Sequence, residues 1–182
     1  MNYDGMIVVS GPACSGKSTF AASFASKLSL ELVNHDDVLT EIKPNSDRNP
    51  NDRLQACVAM HQRACVLNAA GQGVLLEGTY SRRAYRADLL RVFPATSFII
   101  IEMRVPVDVV LQRFDTRKGH PGIDLTAESV RKLVSTYPYW DSAITIDGTL
   151  SYVEQERIAL DAIKMYIHRT FLNGKSLVLT LA

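Results

Sequence analysis

Apolar positions along the chain alternate between two rhythms. Met6–Ser10 is an unbroken run rich in β-branched residues that halts at a glycine, as a strand buried on both faces does. From Lys17 to Leu28 the spacing changes. Phe20, Phe24 and Leu28 recur every four residues with Ala21 and Ala25 beside them, which draws one apolar stripe along a helix. Residues 30–34, 73–77, 97–103 and 143–147 read as further short strands.

Helices are predicted between these runs. One spans about 52–70, with Leu54, Cys57, Val58, Ala64 and Cys65 inward. Ser81 can cap the next, which carries Tyr85, Leu89 and Phe93. Pro106 opens another, before Val107, Val110, Leu111 and Phe114. Thr126 can cap a helix bearing Val130, Leu133, Val134 and Tyr137. Ser151-Tyr152-Val153-Glu154 is a capping box that starts a last long helix, running to about residue 171. The polar stretch 43–52 and the glycine- and proline-bearing stretch 117–124 break the pattern and read as loops. The tail, residues 175–182, reads as either an edge strand or a docked extension. Strands alternating with helices imply the α/β class: a five-stranded parallel sheet covered on both faces, one domain over 1–182, with a small lid at about 113–125.

Composition narrows the partners. With 182 residues, 47% of them apolar and 21% charged, the chain is long enough for one globular core. A net charge of +1 offers no broad field for nucleic acid or an anionic membrane. No segment approaches the ~20 apolar residues of a spanning helix. The three cysteines, Cys14, Cys57 and Cys65, form neither an even disulfide set nor a zinc pair. The start of the chain lacks a basic, long-apolar leader, so the expected compartment is the reducing cytoplasm.

The first strand runs into Gly11-Pro12-Ala13-Cys14-Ser15-Gly16-Lys17-Ser18-Thr19, which satisfies the P-loop spacing between a strand and a helix. Its glycines allow a tight turn that aims successive N–H groups, from Gly11 through Ala13, Cys14, Ser15, Gly16 and on to Thr19, at nucleotide phosphates. The helix N-terminus adds positive potential there. Lys17 suits the β- and γ-phosphates and the Ser18 hydroxyl suits Mg²⁺, so ATP and Mg²⁺ are the expected cofactors. Asp36 and Asp37 follow the second strand, where open α/β sheets bind ligands. Either carboxylate can orient an acceptor hydroxyl, and either can cap a helix.

Glu77-Gly78 at the end of the third strand resembles the magnesium-side carboxylate of small P-loop kinases. Residues 77–90, EGTYSRRAYRADLL, resemble the acceptor-side segment of gluconate kinases and of polynucleotide-kinase-like and zeta-toxin-like proteins, all AAA-type ATP-binding chains. Residues 113–120, RFDTRKGH, are similar to the arginine-bearing lid of gluconate kinases, and 145–151, TIDGTLS, to the adenine-side loop of the same group. The resemblance implies a three-layer P-loop fold. It also implies an ATP-dependent kinase whose acceptor is a hydroxyl of a sugar acid, a nucleoside-like metabolite or an antibiotic. Carried over by position, it gives Glu77 to Mg²⁺, Arg117 to the transferring phosphoryl group, and Arg113 and Thr149 to the nucleotide. Asp37, Arg82, Arg83 and Arg86 fall to the acceptor. Leu39 stands where polynucleotide kinases carry an arginine, and 45–54 departs from the corresponding acidic segment of gluconate kinases. A polynucleotide- or toxin-like phosphotransferase and a non-catalytic ATP-binding module are the rival readings.

Overall fold

The protein is described from a computed structural model, over residues 5–95, 97–116 and 126–172. In chain order the elements are β1 (Met6–Ser10), α1 (Lys17–Leu28), β2 (Glu31–Asn34), α2 (His35–Ile42), α3 (Pro50–Ala69), β3 (Val74–Glu77), α4 (Arg83–Val92), β4 (Phe98–Arg104), α5 (Val107–Thr116), α6 (Ala127–Ser135), β5 (Ile144–Asp147) and α7 (Tyr152–Leu172). The strands form one parallel sheet in the order β2-β3-β1-β4-β5. β1 therefore lies at the centre, and the chain reverses direction across the sheet beside it.

Alternation along β1 sends its side chains into two separate cores. Met6 and Val8 join Val74, Leu76, Phe98 and Ile100 under α2, α3 and α4. Ile7 and Val9 join Leu75, Ile99, Ile101 and Met103 under α1 and α7. A smaller cluster of Val105, Val110, Val130 and Val134 holds α5 against α6. Both sheet faces are covered, which is why each strand reads as a solid apolar run.

Several boundaries moved, for local reasons. α3 starts at Pro50, because Asn49 caps it by accepting from the Asn51 and Asp52 N–H groups, each at 3.0 Å. The last turn of that helix turns Cys65 outward, so it is exposed, whereas Cys57 and Ala64 are buried as expected. Arg82, not Ser81, takes the N-cap position of α4, with no side-chain capping bond. The residues directly after β2 form a helix of their own, α2, capped by Asn34. The Thr126 cap and the Ser151–Glu154 capping box are both present. Arg117, the rest of the expected lid through residue 125, and the tail 175–182 lie outside the described residues.

One polar cluster sits inside the core beneath α3 and α4. His61 is fully buried, with Nδ1 2.7 Å from Asp88 Oδ2 and Nε2 3.0 Å from the Tyr80 hydroxyl. A neutral imidazole satisfies both contacts, donating from Nδ1 to the carboxylate and accepting the phenolic proton at Nε2. Arg91 donates to the other Asp88 oxygen at 2.6 Å. Burial pushes the His61 imidazole below its ordinary value of 6.5, against the pull of Asp88. Burial also pushes the adjacent Cys57 thiol up to about 12. The cluster ties α3 and α4 to Tyr80, whose backbone is left-handed at φ 47°.

His61→Leu strands the Asp88 carboxylate and the Tyr80 hydroxyl in the core, and is expected to destabilise the fold by about 2–4 kcal/mol in denaturant unfolding. Because the folded-state value of His61 lies below the unfolded 6.5, its unfolded form binds the proton first. Stability is accordingly whole above that pH and declines as pH falls through it. The His61→Leu protein should lack this slope.

Candidate active site

The carboxyl ends of β1, β2 and β3 bring the site together. After Ser10 the chain turns through a cradle that ordinary residues do not make. A Cβ on Gly11, at φ +154°, would lie 2.9 Å from both the Met103 carbonyl oxygen and Ser15 Oγ. Cys14 is left-handed at φ 59° and Gly16 at φ 90°. α1 then begins with no side-chain cap and no acidic residue in its first turn, which leaves its leading N–H groups open to an anion. Ser15 Oγ is buried without a partner among the described residues. These features fit a bound polyphosphate. Ser18 and Thr19 stand exposed at the open side of the cradle, where the Ser18 hydroxyl meets the requirements of a magnesium ligand.

Glu77 ends β3 opposite Asn34 of β2 and Val9 of β1. It is almost wholly buried, and its Oε1 lies 3.6 Å from Lys17 Nζ. Asn34 donates from its amide to Glu77 Oε2. With its carbonyl oxygen the same side chain accepts from Asp36 N–H at 2.7 Å and Asp37 N–H at 3.1 Å. One asparagine thus holds α2 and the Glu77 carboxylate in fixed relation. Sequence reading passed over it as a strand end. An Asx residue two positions before an acidic pair was the available signal.

The same geometry separates the two aspartates. Asp37 is exposed, whereas Asp36 accepts from Arg48 at 2.9 Å and has His35 Nδ1 at 3.6 Å. The His35 imidazole and the Arg48 guanidinium, with help from Lys17, hold its carboxyl far below the usual range against the cost of burial. Arg48, left-handed at φ 60°, turns its carbonyl to Arg53 Nε at 2.7 Å. His35 Nε2 donates to the Arg53 carbonyl at 2.9 Å. The loop that reads only as polar in sequence therefore links the carboxylate to a second cation.

Two clefts flank the cradle. The first, about 530 Å³, runs from Gly16, Lys17, Ser18 and Thr19 past Arg113 to Gly148, Leu150, Tyr152 and Gln155. Arg113 donates to the carbonyls of Cys14 at 3.5 Å, Ser15 at 3.3 Å and Gly148 at 2.7 Å. Thr149 turns away and donates to Asp147, so its neighbours rather than its own side chain line the cleft.

The second cleft, about 280 Å³, is bounded by Pro12 and Ala13 of the cradle, Arg53, Thr79, Ser81, Arg82, Tyr85, Leu133 and Tyr137. The Arg82 side chain makes no hydrogen bond or ion pair among the described residues, and among them the buried Tyr85 hydroxyl has no partner either. Arg83 is exposed and does not line this cleft. Arg86 is turned to the wall, where it donates to the Tyr80 carbonyl at 2.7 Å and to that of Pro138, with its guanidinium 4.2 Å over the Trp140 ring. That engagement answers why three arginines after one strand end are not three ligands.

The wall itself is firmly held. Tyr137 donates its hydroxyl to the Thr79 carbonyl and accepts from Ser10 Oγ at 2.7 Å. Trp140 N–H donates at 3.0 Å to Glu102, a fully buried carboxyl that burial raises above the usual glutamate range. Arg104 stacks 4.4 Å over Tyr139. Among the described residues no cluster of three or more His, Cys, Asp or Glu side chains forms a ready metal cage. No described helix is long and apolar enough to cross a membrane.

Asn34→Ala removes the α2 cap and the amide on Glu77 together. The expected outcome is a loss of about 1–2 kcal/mol, read from denaturant unfolding of the two proteins side by side.

Comparison with known proteins agrees with this layout. No curated protein sequence matches the chain. Among solved structures, a gluconokinase from Sinorhizobium meliloti 1021 is 18% identical, with 95% of this chain and 99% of that one covered and a TM-score of 0.72. A sugar kinase from Janibacter sp. HTCC2649 is 20% identical, with 88% and 94% covered and a TM-score of 0.70. A shikimate kinase from Acinetobacter baumannii, solved with shikimate, is 17% identical, with 91% and 94% covered and a TM-score of 0.66. At such identities the likeness establishes the fold. The AAA domain family matches residues 6–138, from the first strand past the wall of the second cleft, and well over half the chain. The chain belongs to the AAA domain family and has the fold of the small P-loop kinases.

Proposed function

We propose that the protein is an ATP- and Mg²⁺-dependent kinase that transfers the γ-phosphoryl group to a hydroxyl of a compact small molecule carrying an anionic group. The observation that carries this reading is the second cleft. It opens directly on the cradle and places two arginines, Arg53 and Arg82, over a tyrosine-lined floor. Among the described residues the Arg53 guanidinium is anchored through Nε alone, which leaves its terminal nitrogens available there. A guanidinium fork suits a carboxylate or a phosphate, and two of them favour an acceptor with such a group over a neutral polyol. The cleft lies at the small end of ligand pockets, which run ~300–1,000 Å³, and suits a molecule of monosaccharide size. The gluconokinase and shikimate kinase neighbours support this reading by analogy of fold.

Phosphoryl transfer asks the protein for position and charge rather than covalent chemistry. The cradle amides and Lys17 hold the β- and γ-phosphates; Lys17 exchanges its contact with Glu77 for one with the nucleotide. Ser18 and Glu77 would hold Mg²⁺, Glu77 through a bound water. The ion would supply charge neutralisation on the phosphate oxygens. Asp36 is ionised throughout the physiological range and is a weak base, so its part is to orient the acceptor hydroxyl by accepting its proton in a hydrogen bond. Arg82 and Arg53 hold the far end of the acceptor. Arg117, which lies outside the described residues, is assigned to the transferring phosphoryl group on the resemblance of its sequence segment. Three cysteines, none of them in a disulfide among the described residues, suit a reducing cytoplasmic compartment.

ADP release with Mg·ATP tests the reading on matched acceptors: gluconate against sorbitol, glycerate against glycerol, and a 5′-hydroxyl oligonucleotide, with Lys17→Ala as blank. An acid is expected to stimulate at least ~10-fold more than its neutral partner, and Arg82→Gln to erase most of that difference. Asp36→Asn should lower kcat by about 10²–10³-fold with little change in KM for ATP. Equal stimulation by neutral partners, or by the oligonucleotide alone, would overturn the acceptor class. ATP binding without stimulation by any of them would favour a regulatory module.

A further inference from the structure

The far end of the nucleotide cleft holds a group that neither the cradle nor the acceptor reading uses. Gln155, in the first turn of α7, is 2% exposed and lines that cleft beside Leu150 and Tyr152. Its Nε2 lies 2.8 Å from the Leu150 carbonyl oxygen. A carbonyl only accepts, so this contact fixes which end of the amide is which. The remaining atom, Oε1, is buried with no partner among the described residues. A buried amide oxygen without a donor is costly, and such an orphan in a binding cleft points to a donor on the ligand.

The cleft is ordered along its length. Phosphates belong at Lys17 and Ser18, so the base falls at the other end, past the Arg113 guanidinium. Gly148 keeps the two ends close: a Cβ there would lie 2.7 Å from the Ser15 carbonyl and 2.5 Å from Val105 Cγ2. The 147–151 turn therefore lies directly on the cradle. Tyr152, 51% exposed, offers a ring at the cleft mouth for a base to lie against.

We propose that Gln155 is the residue that selects adenine, its Oε1 accepting a hydrogen bond from the exocyclic 6-amino group while Tyr152 supports the ring without discriminating. A 6-oxo purine places a carbonyl oxygen against Oε1, two acceptors with no proton between them. A site built around one hydrogen bond rejects the analogue that lacks it more strongly than an apolar site rejects a change of size. The inference rests on the cleft being the nucleotide site, as the proposed function holds.

The test is equilibrium binding by calorimetry of ADP, IDP, GDP and purine riboside 5′-diphosphate, each with Mg²⁺, to the full chain; no acceptor is needed. On the wild-type protein ADP is expected to bind about 10- to 100-fold more tightly than IDP, GDP or the purine analogue that carries no group at C6. Gln155→Met, close in volume but without the acceptor, should bring ADP and IDP within about threefold, chiefly by weakening ADP. Tyr152→Ala should weaken both while leaving their ratio in place. IDP binding within threefold of ADP on the wild type overturns the assignment, with no variant involved. So does a folded Gln155→Met protein that keeps the wild-type ratio, or that loses ADP and IDP in equal measure, since the side chain then only packs. Failure of every nucleotide to bind the wild type would instead remove the nucleotide cleft and the kinase reading together.

Discussion

The turn between β1 and α1 is the constraint around which the molecule is arranged. A backbone that must present a row of free N–H groups cannot also be folded onto itself. It has to be held open from outside. Gly11 is pressed against β4 by the Met103 carbonyl, and Gly148 lets the loop after β5 touch the Ser15 carbonyl. Arg113 spans Cys14, Ser15 and Gly148 from α5. Strands β1, β4 and β5 and helix α5 thus act as an external brace for a turn that makes little structure of its own. The central position of β1 in the sheet follows the same logic, since the cradle is reachable from both sides only there.

On the other side of the turn a chain of polar contacts replaces the brace. Lys17 meets Glu77, Glu77 meets Asn34, Asn34 caps the helix that bears Asp36, and Asp36 meets Arg48, whose carbonyl holds Arg53. Each link is charged or amide-bearing and each is partly shielded, so water competes poorly for it. Lys17, which lines the first cleft, is therefore mechanically joined to Arg53, which lines the second, through side chains from four segments. Beneath them Tyr80, fixed by His61 through its hydroxyl and by Arg86 through its carbonyl, anchors the loop that presents Thr79, Ser81 and Arg82.

The fold was largely legible because its strands are buried on both faces and its helices carry clean stripes. Five strands, the P-loop, the Thr126 cap and the Ser151 box all follow from local chemistry. What escaped was everything decided by tertiary partners. α2 is too short to show a period and exists because Asn34 caps it. Arg48 sat in a stretch legible only as polar and Arg53 at the start of a predicted helix, and their link depends on a left-handed residue that composition does not announce. Arg86 resembled its neighbours in sequence, yet Trp140 and two carbonyls claim it. Gln155 fell in a helix where a glutamine ordinarily faces water, and only the sheet edge and the Leu150 carbonyl bury it. His61 is not among the inward positions its helix spacing marks, because its carboxylate and phenol partners lie 27 and 19 positions away.

The stacking of Arg86 on Trp140 has a practical side. The chain holds a single tryptophan, and it lies behind the wall of the second cleft, with a cation over its ring and a buried carboxyl at its backbone amide. Emission from that indole is sensitive to the orientation of one guanidinium and the polarity of one small enclosure, while the first cleft lies on the opposite side of the cradle. The protein therefore carries its own optical probe, set beside one of its two clefts and away from the other.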